Sequence, residues 1–357
     1  MGLVKTYRPV LLALVLGAGG GAVFFALALP LPWMLGAMLA TTVAAMSGVP
    51  VSVPSRLRNP MMAVIGVLLG SNFTLDVMAG AWRWLPTIAT LPVYVVVVGG
   101  ASYFYLRRTT DFDPRTAYFA AAPGGFGEMV LMGEQAGGDM RRIALVHSVR
   151  VLLIVLVVPF FLRYSGLMAV VAAAGDEAGA ALPALLLDWL VLAVCAVLGA
   201  WLGIRLRLPA AMMLGPMVIS ALAHVAGLAH TAPPSHVVAL AQIVIGSQIG
   251  SRFAAFRVIE VLRTMIAGVG LMVVMFAATF VVGAVVHLII GTPVTALLLA
   301  LAPGGVAEMS LIALATGVEP AFVATHHIVR IALVVALAPL LFRLMKVPAA
   351  SPPGKSS

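Results

Sequence analysis

The sequence contains very little charge: only 9% of its 357 residues are Asp, Glu, Lys or Arg. A soluble globular domain typically has about 25% charged residues, so this composition excludes a soluble domain. With 62% hydrophobic residues, the chain is predicted to lie in a lipid bilayer. Cysteine is almost absent too. The single Cys195 excludes an internal disulfide, and because it lies in an apolar run it is interpreted as a small packing residue.

The sequence also lacks the patterns that nucleic acid or a metal ion would require. The net charge is +9, but the basic residues are scattered in ones and twos without an accompanying stripe of aromatics, so they are interpreted as topology signals. Several histidines lie outside any Cys or carboxylate cluster at ligand spacing; they are His224, His230, His236 and His287. We therefore expect no cofactor, no metal site and no direct nucleic-acid partner.

Long apolar runs are abundant. A transmembrane helix needs about 20 apolar residues, and runs of this kind occupy residues 10–29, 85–106, 143–162, 185–204 and 265–290. The first run follows Lys5 and Arg8, as a secretory signal would. We interpret it as a retained membrane helix, because it is longer than a usual signal core and residues 11–20 have a counterpart in residues 190–199.

That counterpart belongs to a repeat that covers most of the chain. Residues 122–129 read APGGFGEM, and residues 302–309, 180 positions later, read APGGVAEM. His147 and Arg150 follow the first copy at the same distance as His327 and Arg330 follow the second. The protein is therefore predicted to consist of one membrane unit that occurs twice.

Loop charges predict that the two units have opposite orientations. Lys and Arg are enriched in cytoplasmic loops. The connection at residues 30–32 has no basic residue, but its counterpart contains Arg205 and Arg207. The next connection contains Arg56 and Arg58, but its counterpart has neither Lys nor Arg. An inverted repeat requires an odd number of crossings per unit, so each Pro-Gly-Gly segment is expected to return to the side from which it enters.

The predicted fold is an all-α polytopic membrane protein with two inverted-topology repeats. Each repeat has about five crossings and one broken or re-entrant Pro-Gly-Gly segment. The expected divisions are a first repeat (1–165), a linker (166–182), a second repeat (183–346) and a disordered tail (347–357). The protein is expected in the inner (plasma) membrane of a bacterium as a multi-pass protein with both termini in the cytoplasm. The sequence does not determine whether it forms a homo-oligomer.

The Pro-Gly-Gly segments are the candidate binding site. Proline lacks an amide proton and clashes with the preceding helical turn, so helix should stop there. Freed backbone groups at membrane depth are tolerated where they are buried by protein or face a watery cavity, in which they can coordinate a substrate or ion. The predicted substrate- or ion-binding residues come from both copies of the repeat; they are Pro123, Gly124, Gly125, Glu128, His147, Arg150, Pro303, Gly304, Gly305, Glu308, His327 and Arg330.

A plainer interpretation exists for each of these residues. Each Pro-Gly-Gly could be only a kink or a packing point, with its Glu near the surface. Arg150 either lines a cavity or extends to lipid headgroups, whereas Arg330 has no basic neighbours and is expected in the interior. The binding-site interpretation is favoured because a carboxylate is costly in an apolar setting and here occurs twice at equivalent positions.

Two further patterns concern packing and asymmetry. Gly66 and Gly70 are equivalent to Gly246 and Gly250, a small-residue spacing that allows close helix contact. Two polar residues, Gln242 and Gln248, also occur in an apolar segment of the second half. Because the first copy has Met62 in place of Gln242, these glutamines are expected to make the two halves unequal at the site.

The paired halves, each with a Leu-Gly-x-Met segment and a later Ala-Pro-Gly-Gly-x-x-Glu-Met followed by His-x-x-Arg, resemble the AbrB-like integral membrane proteins. The resemblance extends from about Val10 to Lys346. Members are labelled ammonia monooxygenase or membrane regulator of gene expression. The family name is shared with a small soluble DNA-binding regulator that this chain does not resemble. The repeat architecture is also similar to that of bacterial secondary transporters for organic acids and glutamate, a likeness of fold that does not establish function.

Three functions follow as expectations. The first is a secondary transporter or exporter of a small anionic solute, coupled to protons or cations through the glutamates or histidines. The second is a membrane regulator that acts on gene expression indirectly, since the chain has no soluble basic module. The third, an ammonia-monooxygenase enzyme, needs a clustered copper or iron site, so the protein is not expected to be an enzyme.

Overall fold

The structure is a computed structural model that describes residues 2–166 and 182–345. The predicted tail (347–357) and all but the two end residues of the predicted linker (166–182) lie outside the described residues. Within the described ranges every regular element is a helix, as the composition predicts for a membrane protein.

The first half of the chain forms nine α-helices, and a 3-10 turn (Ala81–Trp84) joins the fourth to the fifth. They are α1 (Gly2–Ala26), α2 (Pro32–Met46), α3 (Ser55–Gly70), α4 (Leu75–Gly80), α5 (Leu85–Ala89), α6 (Leu91–Thr109), α7 (Pro114–Ala121), α8 (Phe126–Gln135) and α9 (Met140–Tyr164).

The described part of the second half forms seven α-helices, and a 3-10 turn (Arg252–Ala255) follows the third of them. They are α10 (Leu182–Arg205), α11 (Ala211–Val225), α12 (Ser235–Ser251), α13 (Val258–Ile290), α14 (Val294–Leu301), α15 (Val306–Ala315) and α16 (Pro320–Leu344). The helices α14, α15 and α16 each begin and end 180 positions after α7, α8 and α9.

Seven helical stretches of the described chain are long and apolar enough to cross a membrane. They are residues 7–26, 75–109, 140–164, 186–205, 235–255, 258–290 and 320–344. Side chains such as Ile266, Leu288 and Ile289 on α13 are more than three-quarters exposed, as expected for a surface in contact with lipid rather than water. The arrangement of helices is therefore compatible with that of a polytopic membrane protein.

The seven stretches do not account for the ten predicted crossings. The helices α2, α3 and α11 contain only 15 or 16 residues, fewer than the roughly 20 that span a bilayer unaided. Counted with the seven they would make ten, so the number of crossings stays a prediction.

The predicted close glycine contacts are confirmed, and they connect one half of the chain to the other. A Cβ atom at Gly66 on α3 would lie only 2.3 Å from the carbonyl oxygen of Met213 on α11. Likewise, a Cβ atom at Gly246 on α12 would lie 2.3 Å from the carbonyl oxygen of Met34 on α2. The absence of a side chain lets each pair of backbones approach closely. The two halves are therefore packed through equivalent pairs of helices.

Candidate functional site

Helix stops at both Pro-Gly-Gly segments. In the first half α7 ends at Ala121 and α8 begins at Phe126; in the second, α14 ends at Leu301 and α15 begins at Val306. Each break leaves the last carbonyls of one short helix and the first amides of the next without partners inside their own helix. These groups must be satisfied by other parts of the protein or by a ligand.

The first broken segment is a hairpin. The Nε2 of His147 on α9 donates to the carbonyl of Phe119 at 2.9 Å, and Nη1 of Arg150 donates to the carbonyl of Ala122 at 2.8 Å. Both bonds join residues 28 positions apart, so α9 runs parallel to α7, and α8 between them must run back. The amide of Asp139, which follows α8, donates to Thr116 Oγ1 near the start of α7 at 2.8 Å. The chain therefore returns to the level from which it entered.

The second broken segment is arranged in the same way. His327 Nε2 donates to the carbonyl of Leu299 at 2.9 Å, and Arg330 Nη1 donates to the carbonyl of Ala302 at 2.5 Å, again across 28 positions. The helix α16 therefore runs parallel to α14, and α15 runs back between them. We call the two segments the first hairpin (α7–α8) and the second hairpin (α14–α15).

The two arginines hold the carbonyls that the breaks release. Arg150 Nη2 also donates to the carbonyl of Gly124 at 3.1 Å, and Arg330 Nη2 donates to that of Gly304 at 2.8 Å. A guanidinium at the C-terminal end of a helix also opposes the negative end of the helix dipole. Arg150 is 4% exposed and Arg330 2%. Neither extends to lipid headgroups, so the interfacial interpretation of Arg150 is wrong: the released carbonyls bind its side chain in the interior.

The tips of the hairpins lie near each other across α16. Tyr118, in the second half of α7, donates to the carbonyl of Ala338 at 2.8 Å. At the tip, a Cβ atom on Gly124 would lie 2.7 Å from Cγ1 of Val334. Later residues of the first hairpin thus meet earlier residues of α16, so α7 runs antiparallel to α16. Arg150 and Arg330 are close enough to repel each other electrostatically.

Tyr94 on α6 connects these elements and was not among the predicted site residues. Its hydroxyl donates to the carbonyl of Leu301, the last residue of α14, and lies 3.2 Å from Thr279 Oγ1 on α13. Arg330 donates to the same Leu301 carbonyl at 3.2 Å. Tyr94 is fully buried. Its local sequence does not indicate a role at the site, because its partners lie 185 and 207 positions away.

The two predicted glutamates fold back over the glycines that precede them. A Cβ atom on Gly125 would lie 2.2 Å from Glu128 Oε2, and one on Gly305 would lie 2.1 Å from Glu308 Oε2. A carboxylate in the first turn is favoured by the positive end of the helix dipole. Both glutamates are half-buried and form no ion pair with any described residue. A side chain at the second glycine of either segment would therefore displace the carboxylate from this position.

A further arginine, Arg252, lies beside the first hairpin. It follows α12, and its guanidinium carbon lies 4.4 Å from the ring centroid of Phe126, the first residue of α8. Its Nη2 donates to Gln248 Oε1 at 3.3 Å, and it attracts Glu308 electrostatically. From the sequence Arg252 was interpreted only as a topology signal, because its position near Phe126 depends on packing between the halves.

His147 and His327 differ in the hydrogen bonding of their second ring nitrogen, Nδ1. Because Nε2 donates to a carbonyl in both, Nδ1 of each neutral ring is an acceptor. His327 Nδ1 accepts from Arg330 Nη2 at 3.0 Å. His147 is fully buried, and its Nδ1 has no hydrogen-bond partner in the described part of the chain. Among the residues that the structure describes, no three His, Cys, Asp or Glu side chains are grouped so as to hold a metal ion.

Comparison with known proteins places this arrangement in a family. Residues 33–346 match the family model described as "Transition state regulatory protein AbrB". The chain belongs to the AbrB family. It is similar to "Uncharacterized protein YhjN" of Bacillus subtilis (strain 168), with 28% identity over 79% of this chain and 77% of that protein. It is also similar to "Putative regulator AbrB" of Escherichia coli (strain K12), with 26% identity over 71% of each chain.

Proposed function

We propose that this AbrB-family protein is a secondary transporter or exporter of a small anionic solute, coupled to protons or cations. The observation that carries the proposal is the pair of broken hairpins whose tips lie near each other with two buried arginines between them. Broken helices that meet inside a membrane are typical of substrate sites in secondary transporters, because their free ends can bind ions and charged groups.

The charge at the hairpin tips favours an anion. Arg150 and Arg330 are buried and form no ion pair with a carboxylate in the described ranges. A buried charge without a partner is costly, and although the carbonyls bind the donors, they do not neutralise the charge. An anionic substrate at the tips would supply the missing countercharge, and the helix N-termini of α8 and α15 would add to the attraction.

Glu128 and Glu308 are the proposed coupling residues. They occupy equivalent positions in the first turns of α8 and α15, and carboxylates inside a membrane commonly bind protons or cations. In proteoliposomes, we expect replacement of both by Gln (Glu128→Gln, Glu308→Gln) to abolish ion-coupled solute movement. Glu134→Gln is the matched control, because Glu134 is an exposed residue of the same helix as Glu128. Unaltered coupling in the double variant would remove both residues from the mechanism.

Inverted repeats are part of the same proposal. Two observations support them: α7 runs antiparallel to α16, and α14 runs parallel to it. We propose ten crossings, with the first hairpin entering from the cytoplasm and the second from outside, in the bacterial inner membrane with both termini inside.

Labelling of single cysteines tests this orientation. In a Cys195→Ala background, Arg56→Cys and Arg205→Cys should react from the same face of the membrane and His230→Cys from the opposite face. All three positions are exposed. Labelling of Arg56→Cys and Arg205→Cys from different faces would contradict the inverted arrangement.

A regulatory function is the second candidate, because one relative is named a regulator. We propose that any such effect is indirect and arises from the solute that the protein moves. Comparing intracellular metabolites in cells with and without the protein would identify that solute. A change in transcription that persists in a variant unable to move it would favour a direct regulator. We do not propose an enzyme of the ammonia-monooxygenase type; copper bound stoichiometrically to the purified protein would revive it.

A further inference from the structure

The surroundings of the first hairpin contain chemistry that the repeat does not duplicate. At the positions equivalent to Arg252 and Gln248, the first half has Asn72 and Leu68. At the position equivalent to Phe126, the second half has Val306. The His and Arg side chains that bind the hairpin carbonyls occur in both halves, whereas this group occurs once. A duplicated scaffold needs its supports twice but one central site only once, so the unduplicated residues are the candidates for substrate recognition.

Most of the N–H donors of the Arg252 guanidinium are not used in hydrogen bonds to the described residues. A guanidinium offers five N–H donors, and the hydrogen bond that the structure records for its side chain is the one to Gln248 at 3.3 Å. Within the described residues it forms no ion pair, although Glu308 is within electrostatic reach. The Phe126 ring covers one face of the guanidinium and fixes its plane. A planar fork held in this way matches a carboxylate, which can accept two parallel hydrogen bonds.

His147, which also contacts Phe126, supplies a hydrogen-bond acceptor. Its ring centroid lies 6.4 Å from that of Phe126, at an interplanar angle of 80°. Its Nδ1 is a fully buried acceptor to which no residue of the described ranges donates. Leaving a buried acceptor unsatisfied costs free energy, and a ligand that carries a hydroxyl or amino group would remove that cost. The equivalent atom of His327 is already bound by Arg330.

We propose that Arg252, Phe126 and His147 form the substrate site, and that the substrate is a small organic acid bearing a hydroxyl or amino group. The carboxylate binds the guanidinium of Arg252, the aliphatic part contacts the Phe126 ring, and the hydroxyl or amino group donates to His147 Nδ1. This inference rests on the proposed transport function and names the chemical class of its substrate.

Binding to the purified, detergent-solubilised protein tests the inference. The probes are matched acids that differ by one group: 2-hydroxypropanoate, 2-aminopropanoate and propanoate, and 2-hydroxybutanedioate and butanedioate. Titration calorimetry should show tighter binding of a substituted acid than of its unsubstituted partner. Arg252→Gln should weaken both members of a pair by about 10- to 100-fold, as expected for a lost charged hydrogen-bond partner.

The controls separate recognition from support of the fold. Asn72→Ala changes the equivalent position of the other half, and Arg263→Gln removes an exposed positive charge on α13; neither should alter affinity. His147→Asn should reduce the preference for the substituted acid by about 5- to 10-fold, whereas a purely structural defect would weaken both acids equally.

Two failures are distinguishable. If the native protein binds an organic acid and Arg252→Gln binds it equally well, or if no acid of the series binds, the inference is wrong. Transport of another anion into proteoliposomes would then leave the proposed function standing. If no solute moves in proteoliposomes that contain the native protein, the proposed function itself is wrong, even where an acid binds.

Discussion

The first and second hairpins share their supports but differ in what surrounds them. In both, a His and an Arg three positions apart bind backbone carbonyls 28 positions earlier in the chain. Around the second hairpin, Arg330 also satisfies the histidine of its own pair, and Tyr94 binds the last carbonyl of α14. Around the first hairpin, His147 Nδ1 has no hydrogen-bond partner among the described residues.

This difference shows that segments with the same sequence pattern and the same helix lengths can have unequal surroundings. A helix break inside a membrane must have its backbone groups satisfied in each copy, so the contacts of the repeated His and Arg are retained in both halves. Side chains that only a ligand would contact are under no such requirement.

Loss of Arg330 should have the largest effect on stability. Arg330→Ala leaves three groups without a donor, namely the carbonyls of Ala302 and Gly304 and Nδ1 of His327, whereas the Leu301 carbonyl still accepts from Tyr94. We expect a loss of about 3 kcal/mol, since each orphaned buried group costs about 1–3 kcal/mol. Arg150→Ala should cost less, because Arg150 binds two carbonyls. Thermal unfolding in detergent measures both, and Arg343→Ala, at an exposed position of α16, is the control. Equal melting temperatures for the Arg330→Ala and Arg343→Ala variants would show that Arg330 is not a support.

A side chain at either central glycine contact should separate the halves. Gly66→Ala and Gly246→Ala each place a Cβ atom 2.3 Å from a carbonyl oxygen of the partner helix, so the backbones must move apart. We expect each to cost about 1–3 kcal/mol, typical of overpacking. Gly19→Ala is the control, because a Cβ there meets nothing within 4 Å. If only one of the two variants is destabilised, the two contacts are not equivalent.

The two histidines should differ when each is replaced by Phe. Both variants lose a hydrogen bond to a carbonyl, but His327→Phe also removes the acceptor of Arg330 Nη2. We therefore expect His327→Phe to be less stable than His147→Phe by about 1 kcal/mol, the net value of one buried hydrogen bond. Chemical or thermal unfolding of the two proteins side by side measures the difference. The opposite order would refute the assignment of the open nitrogen to His147.

The smallest effect concerns the entrance of the first hairpin. Asp113 accepts hydrogen bonds from the amides of Arg115 and Thr116 at the start of α7, whereas Pro293 precedes α14 and makes no side-chain cap. Asp113→Ala should therefore cost roughly 0.5–1 kcal/mol, as for loss of a helix cap. No equivalent loss is expected at Pro293.

Acid should remove the same cap. Burial raises the pKa of Asp113, but hydrogen bonds from the Thr116 hydroxyl and the two amides outweigh burial and hold the pKa below its usual value. A pKa lowered by folding stabilises the protein above the unfolded value of about 3.9, and this contribution disappears as the pH falls through the lower, folded value. Asp113→Asn retains an N-cap residue that does not titrate. Its melting temperature should therefore fall less than that of the native protein between pH 5 and about pH 3; identical profiles would contradict this role.

Some features of the site could be predicted from local sequence and others could not. Proline and glycine act on their own backbone, so the breaks after Ala121 and Leu301 follow from the residues at those positions. The partners of Arg150 and Arg330 could not be predicted, because the freed carbonyls belong to helices that pack beside them. The roles of Tyr94 and Arg252 could not be predicted for the same reason, because the residues that they contact lie far away in the chain.

The helical, apolar character of the protein, the repeated Pro-Gly-Gly motif and the positions of the two helix breaks could be deduced from the sequence alone. These properties depend on composition and on each residue's own backbone, so they do not need the rest of the fold. The binding of the released carbonyls by the repeated arginines, and the position of Phe126 near both Arg252 and His147, depend on the tertiary structure. Those facts depend on which helices pack together, and distant parts of the chain jointly determine that packing.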